Sequence, residues 1–169
     1  LELSVREGLL FDTSPVALPG KVYLIPGNPD VLPSFPTGTT VQRVASGGRP
    51  PYTYTSSDPK IAHVAEDGLT SVRGNGNATI SVTDAAGESR SYTVSVTGVI
   101  QCVGVGSGNL TQMMNAAAAV GGRIPNSNEL IEIYNAYGKR WPMGTQNFWS
   151  STYAVNFLGA KWYYVKNMQ

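Results

Sequence analysis

Cysteine and histidine are almost missing from this chain of 169 residues, where Cys102 and His63 each stand alone. A lone cysteine cannot close an intrachain disulfide, and one Cys with one His cannot furnish a zinc centre. No loop of alternating carboxylates offers calcium a ligand set. Charge is scarce too: Asp, Glu, Lys and Arg make up 14 % of the chain, against about 25 % in an ordinary soluble domain. The 12 basic and 11 acidic side chains leave a net charge of +1. That balance lacks the basic excess with which nucleic-acid binders neutralise phosphates. There is also no run of roughly 18 apolar residues, the length a membrane-spanning helix needs. The opening Leu1-Glu2-Leu3-Ser4-Val5-Arg6 has no basic segment leading into an apolar stretch, as a signal peptide would. It reads instead as a strand, and the chain is expected to be part of a longer polypeptide.

What is abundant is turn chemistry. Gly 19 and Pro 11 far exceed their usual share, while 41 % apolar residues suffice for a core. In residues 1–98 the apolar positions alternate with polar ones. Ile80 and Val82 share one face of Ala78-Thr79-Ile80-Ser81-Val82-Thr83, and Tyr92, Val94 and Val96 alternate with Ser91, Thr93 and Ser95. Period two marks strands with one face on a core and one in water. Ile61-Ala62-His63-Val64 is a further short strand. Asp58-Pro59, Asp67-Gly68, Gly74-Asn75-Gly76-Asn77 and Asp84-Ala85-Ala86-Gly87 supply turns between them. Several short strands at this spacing predict a β-sandwich. Prolines 15, 19, 26, 29, 33 and 36 make the early stretch extended or edge-like. A first strand is expected near residues 22–25, followed by a long proline-rich connection.

After Gly98 the pattern changes. Residues 109–120 are rich in helix formers and end at Gly121-Gly122, with Asn109 or Gly108 as the start. Asn126 lies three residues before Glu129, a capping-box pair, and Leu130, Ile131, Tyr134 and Tyr137 form the predicted apolar stripe of a second helix that closes at Gly138. An aromatic stretch follows: Trp141, Phe148, Trp149, Tyr153, Phe157, Trp162, Tyr163 and Tyr164. Residues 1–98 carry 7 basic and 9 acidic side chains, and residues 99–169 carry 5 and 2. Two domains are predicted, an all-β one over 1–98 and a small α+β one over 99–169.

Converging catalytic groups are few. His63 would need Asp58 or Asp67 and an activated serine to form a triad, and a surface histidine on a sandwich strand is the expected reading. Glu129 and Glu132 share a helix face, but glycoside hydrolysis needs carboxylates opposed across a bond. Helix capping accounts for Glu129. Gly104-Val105-Gly106-Ser107-Gly108 lacks the Lys-Ser/Thr pair of a phosphate loop and is expected to be a flexible connection. The aromatic tail is the one surface of interest. About two-thirds of it is expected in the core, because a small domain needs large side chains to close itself. The exposed remainder of Trp141, Trp162 and Tyr163, with Lys139, Arg140 and Lys161, forms a candidate receptor-binding patch, with Lys166 adding to its basic rim.

Beyond these readings, residues 52–62 (Tyr52-Thr53-Tyr54-Thr55-Ser56-Ser57-Asp58-Pro59-Lys60-Ile61-Ala62), Asp67-Gly68-Leu69, Gly74-Asn75-Gly76-Asn77-Ala78-Thr79-Ile80 and Tyr92-Thr93-Val94-Ser95-Val96 resemble, in order, a bacterial immunoglobulin-like domain over about residues 10–97. The second half resembles the C-type-lectin-like tip of the intimin/invasin adhesins. Ala116-Ala117-Ala118-Ala119, Gly121-Gly122-Arg123-Ile124-Pro125, Glu129-Leu130, Tyr134-Asn135-Ala136-Tyr137-Gly138 and Phe148-Trp149-Ser150-Ser151-Thr152 carry that likeness.

The resemblance implies a non-catalytic adhesin. Immunoglobulin-like domains act as rigid spacers, and a lectin-like tip binds a host cell-surface or host-secreted protein. It also implies a bacterial cell-surface location, anchored in the outer membrane by a barrel outside this segment. Cys102 stands where that tip begins a disulfide whose second half lies near the C-terminal end. Either the polypeptide continues beyond Gln169, or residues are missing, or this member has lost the bridge. The Glu-Pro-Asn, Gln-Pro-Asp and Trp-Asn-Asp ligand triplets of true C-type lectins are lacking, so neither a metal nor another cofactor is implied. A calcium-independent carbohydrate-binding module and a structural surface segment without its own receptor are the alternatives.

Overall fold

The computed structural model describes the chain except for residues 27–30, 145, 156–158 and 169, and gives backbone alone at 162 and 167. The expectations placed on Pro29, on Phe157 and on the Trp162 side chain therefore lie outside the described residues. The chain forms two compact units: Leu1–Leu24 with Phe35–Ile100, and Ile25–Ser34 with Gln101–Gln169. The proline-rich stretch that reads in the sequence as a connection within the first domain thus groups with the second unit.

The first unit is the predicted β-sandwich. One sheet has the order β1 (Val16–Leu18), β8 (Ser89–Val96), β7 (Gly76–Thr83), β4 (Thr53–Ser56), and the other the order β3 (Thr40–Gln42), β6 (Leu69–Val72), β5 (Ala62–Val64). A further pair joins β2 (Val22–Leu24) to β9 (Val99–Gln101). The alternation legible in the sequence selects the inward face. Ile80 and Val82 are 0 % exposed, and Tyr92, Val94 and Val96 are 2, 0 and 1 % exposed. β7 and β8 pair antiparallel from Gly76 opposite Val96 to Thr83 opposite Ser89, so these side chains stand together on one surface. Leu18, Val22, Leu24, Ala62, Val72 and Val99 close the core from the other strands. Truncating a side chain such as Ile80 to alanine there costs about 2–5 kcal/mol.

The strand expected near residues 22–25 is present as β2, but it is not the first strand. The first is β1, which runs parallel to β8 with Val16 opposite Val94 and Leu18 opposite Val96. Pro15 and Pro19 bracket its three residues instead of interrupting them, and β1 lies at the sheet edge, where a missing N–H does no harm. The strand expected over residues 1–6 has no ladder pairing among the described residues. Between β5 and β6 the Asp67-Gly68 turn is closed by Gly68 N donating to Ala65 O and Leu69 N donating to Asp67 Oδ1. Gly68 has φ +84°, and a Cβ there would meet Arg43 O at 2.1 Å, so glycine is required twice over.

The second unit contains α1 (Leu110–Ala119), α2 (Ser127–Tyr137), a 3-10 turn (Gly138–Arg140) and a hairpin of β10 (Asn147–Val155) and β11 (Lys161–Asn167). Both helices begin with capping boxes. Asn109 accepts from Gln112 N while Gln112 reaches back to Asn109 N, and Asn126 and Glu129 do the same. Gly138, with φ +54°, terminates α2. The buried stripe of α2 differs from the predicted one. Leu130, Ile133 and Tyr137 are buried, whereas Ile131 is 46 % exposed. Spacing i, i+3, i+7 holds a single face, and Ile131 lies one residue off it. No helix among the described residues is long and apolar enough to cross a membrane.

Candidate receptor-binding surface

The predicted patch resolves into two groups. The first is built by α2 and the turn after it. The Tyr137 ring meets Trp141 edge-on at 5.7 Å, and Trp141 meets Phe148 of β10 edge-on at 5.4 Å. This aromatic file packs the helix onto the hairpin, so Trp141 serves mainly as a packing residue. Its Nε1 is buried and has no hydrogen-bond partner among the described residues. Arg140 donates to Leu32 O at 2.8 Å, to Ser34 Oγ at 3.3 Å and to Ala136 O at 3.3 Å. Ser34 N donates in turn to Ala136 O at 2.9 Å. Arg140 therefore ties residues 32–34 to the end of α2, while Lys139 stays exposed.

The second group occupies the far part of the hairpin. Tyr153 pairs with Tyr163 and Val155 with Lys161, and the two-residue period sets Tyr153, Val155, Lys161, Tyr163 and Val165 on one face. Lys161 Nζ lies 4.5 Å over the Tyr153 ring. Tyr153, Val155 and Val165 are 44, 55 and 48 % exposed, and Tyr163 is half-buried. Lys166, opposite Phe148, and Lys161 are five residues apart on β11. At the rise of an extended strand this is roughly 16 Å. Trp141 and Lys161 thus mark two regions of the unit and not one patch.

The bulge in β10 explains the separation. Three residues of β10 between Trp149 and Tyr153 face one of β11 between Val165 and Tyr163. The excess loops Ser150–Thr152 toward α2, where Ser151 N donates to Pro125 O at 2.9 Å, Ser127 N donates to Thr152 Oγ1 at 2.9 Å, and Ser150 is fully buried. Trp149 Nε1 donates to Gly108 O at 3.0 Å, which gives part of the glycine-rich stretch a fixed role. At the near end, Lys166 Nζ sits 4.3 Å over the Tyr134 ring. None of the described tail aromatics is fully buried, contrary to the expectation that two-thirds would be core. A two-stranded sheet with one helix against part of it covers only part of its surface. Sequence reasoning left Tyr153 out of the patch and missed Val155 and Val165, although their alternation with Ala154, Tyr164 and Lys166 was the available signal.

The remaining candidates carry structural roles. His63 points outward on β5, and the carboxylates named with it are occupied in turns, Asp58 accepting from Lys60 N and Asp67 from Leu69 N. Glu129 caps α2 and holds Arg123 through two contacts of 2.6 and 2.8 Å. Cys102 is a half-buried free thiol, pushed up to about 11 by burial and secondarily by the Glu129 charge. Burial pushes Tyr137 up to about 12.

The first unit, with two facing sheets, a parallel edge strand and alternating core strands, has an immunoglobulin-like sandwich architecture. Residues 36–86 match the family described as the intimin immunoglobulin-like domain. The chain is 32 % identical over 94 residues to intimin of Escherichia coli O111:H-, which covers 55 % of this chain and 10 % of that protein. It is 31 % identical over 97 residues to intimin of E. coli O127:H6 strain E2348/69, covering 56 % and 10 %. Among solved structures, the C-terminal 282-residue intimin fragment in complex with the intimin-binding domain of the translocated intimin receptor is 27 % identical, with a TM-score of 0.44 over 66 % of this chain and 43 % of that one. A mutant intimin from EHEC O157:H7 is 21 % identical, with a TM-score of 0.44 over 67 % and 63 %. The chain is similar to intimins over these stretches and spans about a tenth of the curated intimins it matches.

Proposed function

We propose that this chain is the receptor-binding end of a bacterial surface adhesin, held at the outer membrane by a part of the protein outside this segment. The immunoglobulin-like unit serves as a rigid spacer, and the second unit, read as a C-type-lectin-like tip, binds a host cell-surface or secreted protein. The observation that carries the reading is the exposed hairpin face, where Tyr153, Val155 and Val165 lie beside Lys161 without full cover. Aromatic anchors with a basic neighbour and no acidic side chain between Asn147 and Asn167 suit a protein partner with apolar and acidic groups. Kinship with the intimins supports the adhesin class.

Two features weigh against the alternatives. The Tyr153 and Tyr163 rings are inclined at 49°, which gives no flat platform for sugar stacking. Exposed aromatics at Tyr153 and Tyr164 likewise speak against a purely structural segment. The test is binding of the fragment to host cells left untreated, treated with protease or treated with glycosidase. Loss after protease alone is expected, and loss after glycosidase alone would overturn the protein-receptor reading. Tyr153→Ala and Lys161→Glu should each weaken binding about tenfold or more at unchanged melting temperature. Trp141→Ala should lower the melting temperature instead. Unaltered binding by both hairpin variants would remove this face from the proposal.

A further inference from the structure

The chain passes between the two units at three places, 24–25, 34–35 and 100–101, because residues 25–34 belong to the second unit. Both ends of that excursion are fastened to the end of α2. At one end the Ile25 backbone hydrogen-bonds the Tyr137 hydroxyl, and the two residues are 7 and 2 % exposed. At the other, Arg140 donates to Leu32 O at 2.8 Å, and Ser34 N donates to Ala136 O at 2.9 Å. Ala136 and Tyr137 close α2, and Arg140 ends the 3-10 turn that follows it. The two fastenings therefore share one short stretch of backbone.

Residues 35–100 are thus a loop with both ends in the second unit. Tension applied between Glu7 and any point of that unit does not have to pass through them. It runs along residues 7–24 and enters the second unit at Ile25. The sandwich grips this run along its length. Gly48 N donates to Glu7 O at 3.0 Å, and Arg43 donates to Asp12 O at 3.0 Å and to Ser14 O at 2.6 Å. Beyond them β1 lies along β8, with Val16 opposite Val94 and Leu18 opposite Val96. A pull on Glu7 draws β1 lengthwise past β8, so its ladder bonds resist together and not one after another.

We infer that residues 7–24 are a load-bearing strap stapled to the end of α2, and that tension on the protein bypasses the body of the sandwich. A domain strung in line with a pulled chain gives up all its length when it opens. Here, if the strap tears from the sandwich, only the residues up to Leu24 lengthen the chain, and residues 35–100 stay slack and free to refold. The inference rests on the adhesin reading only for the source of the tension, a receptor at one end and an anchor at the other. The path of the tension follows from the chain itself.

The test is single-molecule force spectroscopy on residues 1–169, pulled from Leu1 and from one thiol placed on α2 by Ile131→Cys together with Cys102→Ala. Ile131 is 46 % exposed and lies off the buried stripe of α2. No receptor is present, so a failure to bind host cells and a failure of the strap are separate results. The first step should release at most 24 residues, about 8 nm at the reach of an extended chain. The body of the sandwich should lengthen the chain only in a later, separate step of roughly 30 nm or more, once the staple opens. Arg140→Ala, made in the same tethered chain, should bring that long step to lower force, because forced opening follows the unfolding rate. If Arg140→Ala prevents the second unit from folding, the step lengths of the chain that keeps Arg140 still decide. A first step well beyond 24 residues in that chain would overturn the inference, as would an unchanged long step in a folded Arg140→Ala variant.

Discussion

The Tyr92 hydroxyl and the Thr70 hydroxyl meet at 2.8 Å inside the first unit, joining β8 of one sheet to β6 of the other. Both residues are buried, and the Arg43 guanidinium covers the Tyr92 ring at 4.2 Å while Phe11 leans against it at 5.6 Å. The sandwich therefore carries a polar cross-link between its layers.

Tyr92→Phe keeps the ring and its packing but strands the Thr70 hydroxyl. A buried polar group left without a partner costs about 1–3 kcal/mol. A drop in melting temperature of roughly 5 °C or more is expected by calorimetry. Thr70→Val added to Tyr92→Phe should recover much of that loss, because both ends of the pair are then apolar. A double variant no more stable than the single one would mean that the tyrosine hydroxyl contributes through something other than Thr70.

Asp84 organises the turn between β7 and β8. Its carboxylate accepts from Arg49 N at 2.8 Å, Glu88 N at 2.8 Å and Ala86 N at 3.0 Å. The Arg49 N–H is the main cause that holds the carboxyl below the usual range, and burial opposes it. A carboxyl with a lowered folded-state pKa stabilises the fold above about pH 4, the value of the unfolded chain, and that contribution is lost as the pH falls through the folded value. Chemical denaturation from pH 6 to pH 2 should show this decline, with a shallower fall for Asp84→Ala, which should already be less stable at pH 6.

Cys102 should be a sluggish nucleophile. With its thiol pushed up to about 11, roughly one molecule in a thousand carries the thiolate at pH 8, against about a quarter for an ordinary thiol. Alkylation by iodoacetamide should be about a hundredfold slower than for the same chain in denaturant. A raised thiol pKa stabilises the folded state fully below about pH 8.5, and the contribution is lost as the pH rises toward the folded value. Equal alkylation rates in the folded and denatured chain would show that burial does not protect Cys102.

The first unit was the more legible half of the sequence, for a physical reason. Its strands bury one face each, so Ile80, Val82, Tyr92, Val94 and Val96 advertise their placement by simple alternation. The helix caps at Asn109 and Asn126 were equally readable, since a capping box is a local interaction over three residues. Two features escaped. The three residues of β1 are too few to show a period, and their place is set by a parallel partner at Val94–Val96 far along the chain. The hairpin surface was misjudged because aromatic content says nothing of coverage. Trp141 was placed in the candidate patch and is packed between Tyr137 and Phe148, whereas Tyr153 was left out of that patch and stands exposed.

The bond from Arg140 to Leu32 spans 108 residues of sequence. During synthesis at roughly 5–20 residues per second, Leu32 emerges some 5–20 s before the side chain that will hold it. Over most of that interval residues 35–100 are being made and can close the sandwich with residues 1–24, leaving the stretch around Leu32 as an unclaimed excursion from a finished domain. The second unit can be completed only when Ala136 and Arg140 arrive to collect it. The two units are consecutive along most of the gene, but their assembly is interleaved in time, and a ribosome that pauses between Gly98 and Arg140 would leave the first ready and the second still waiting.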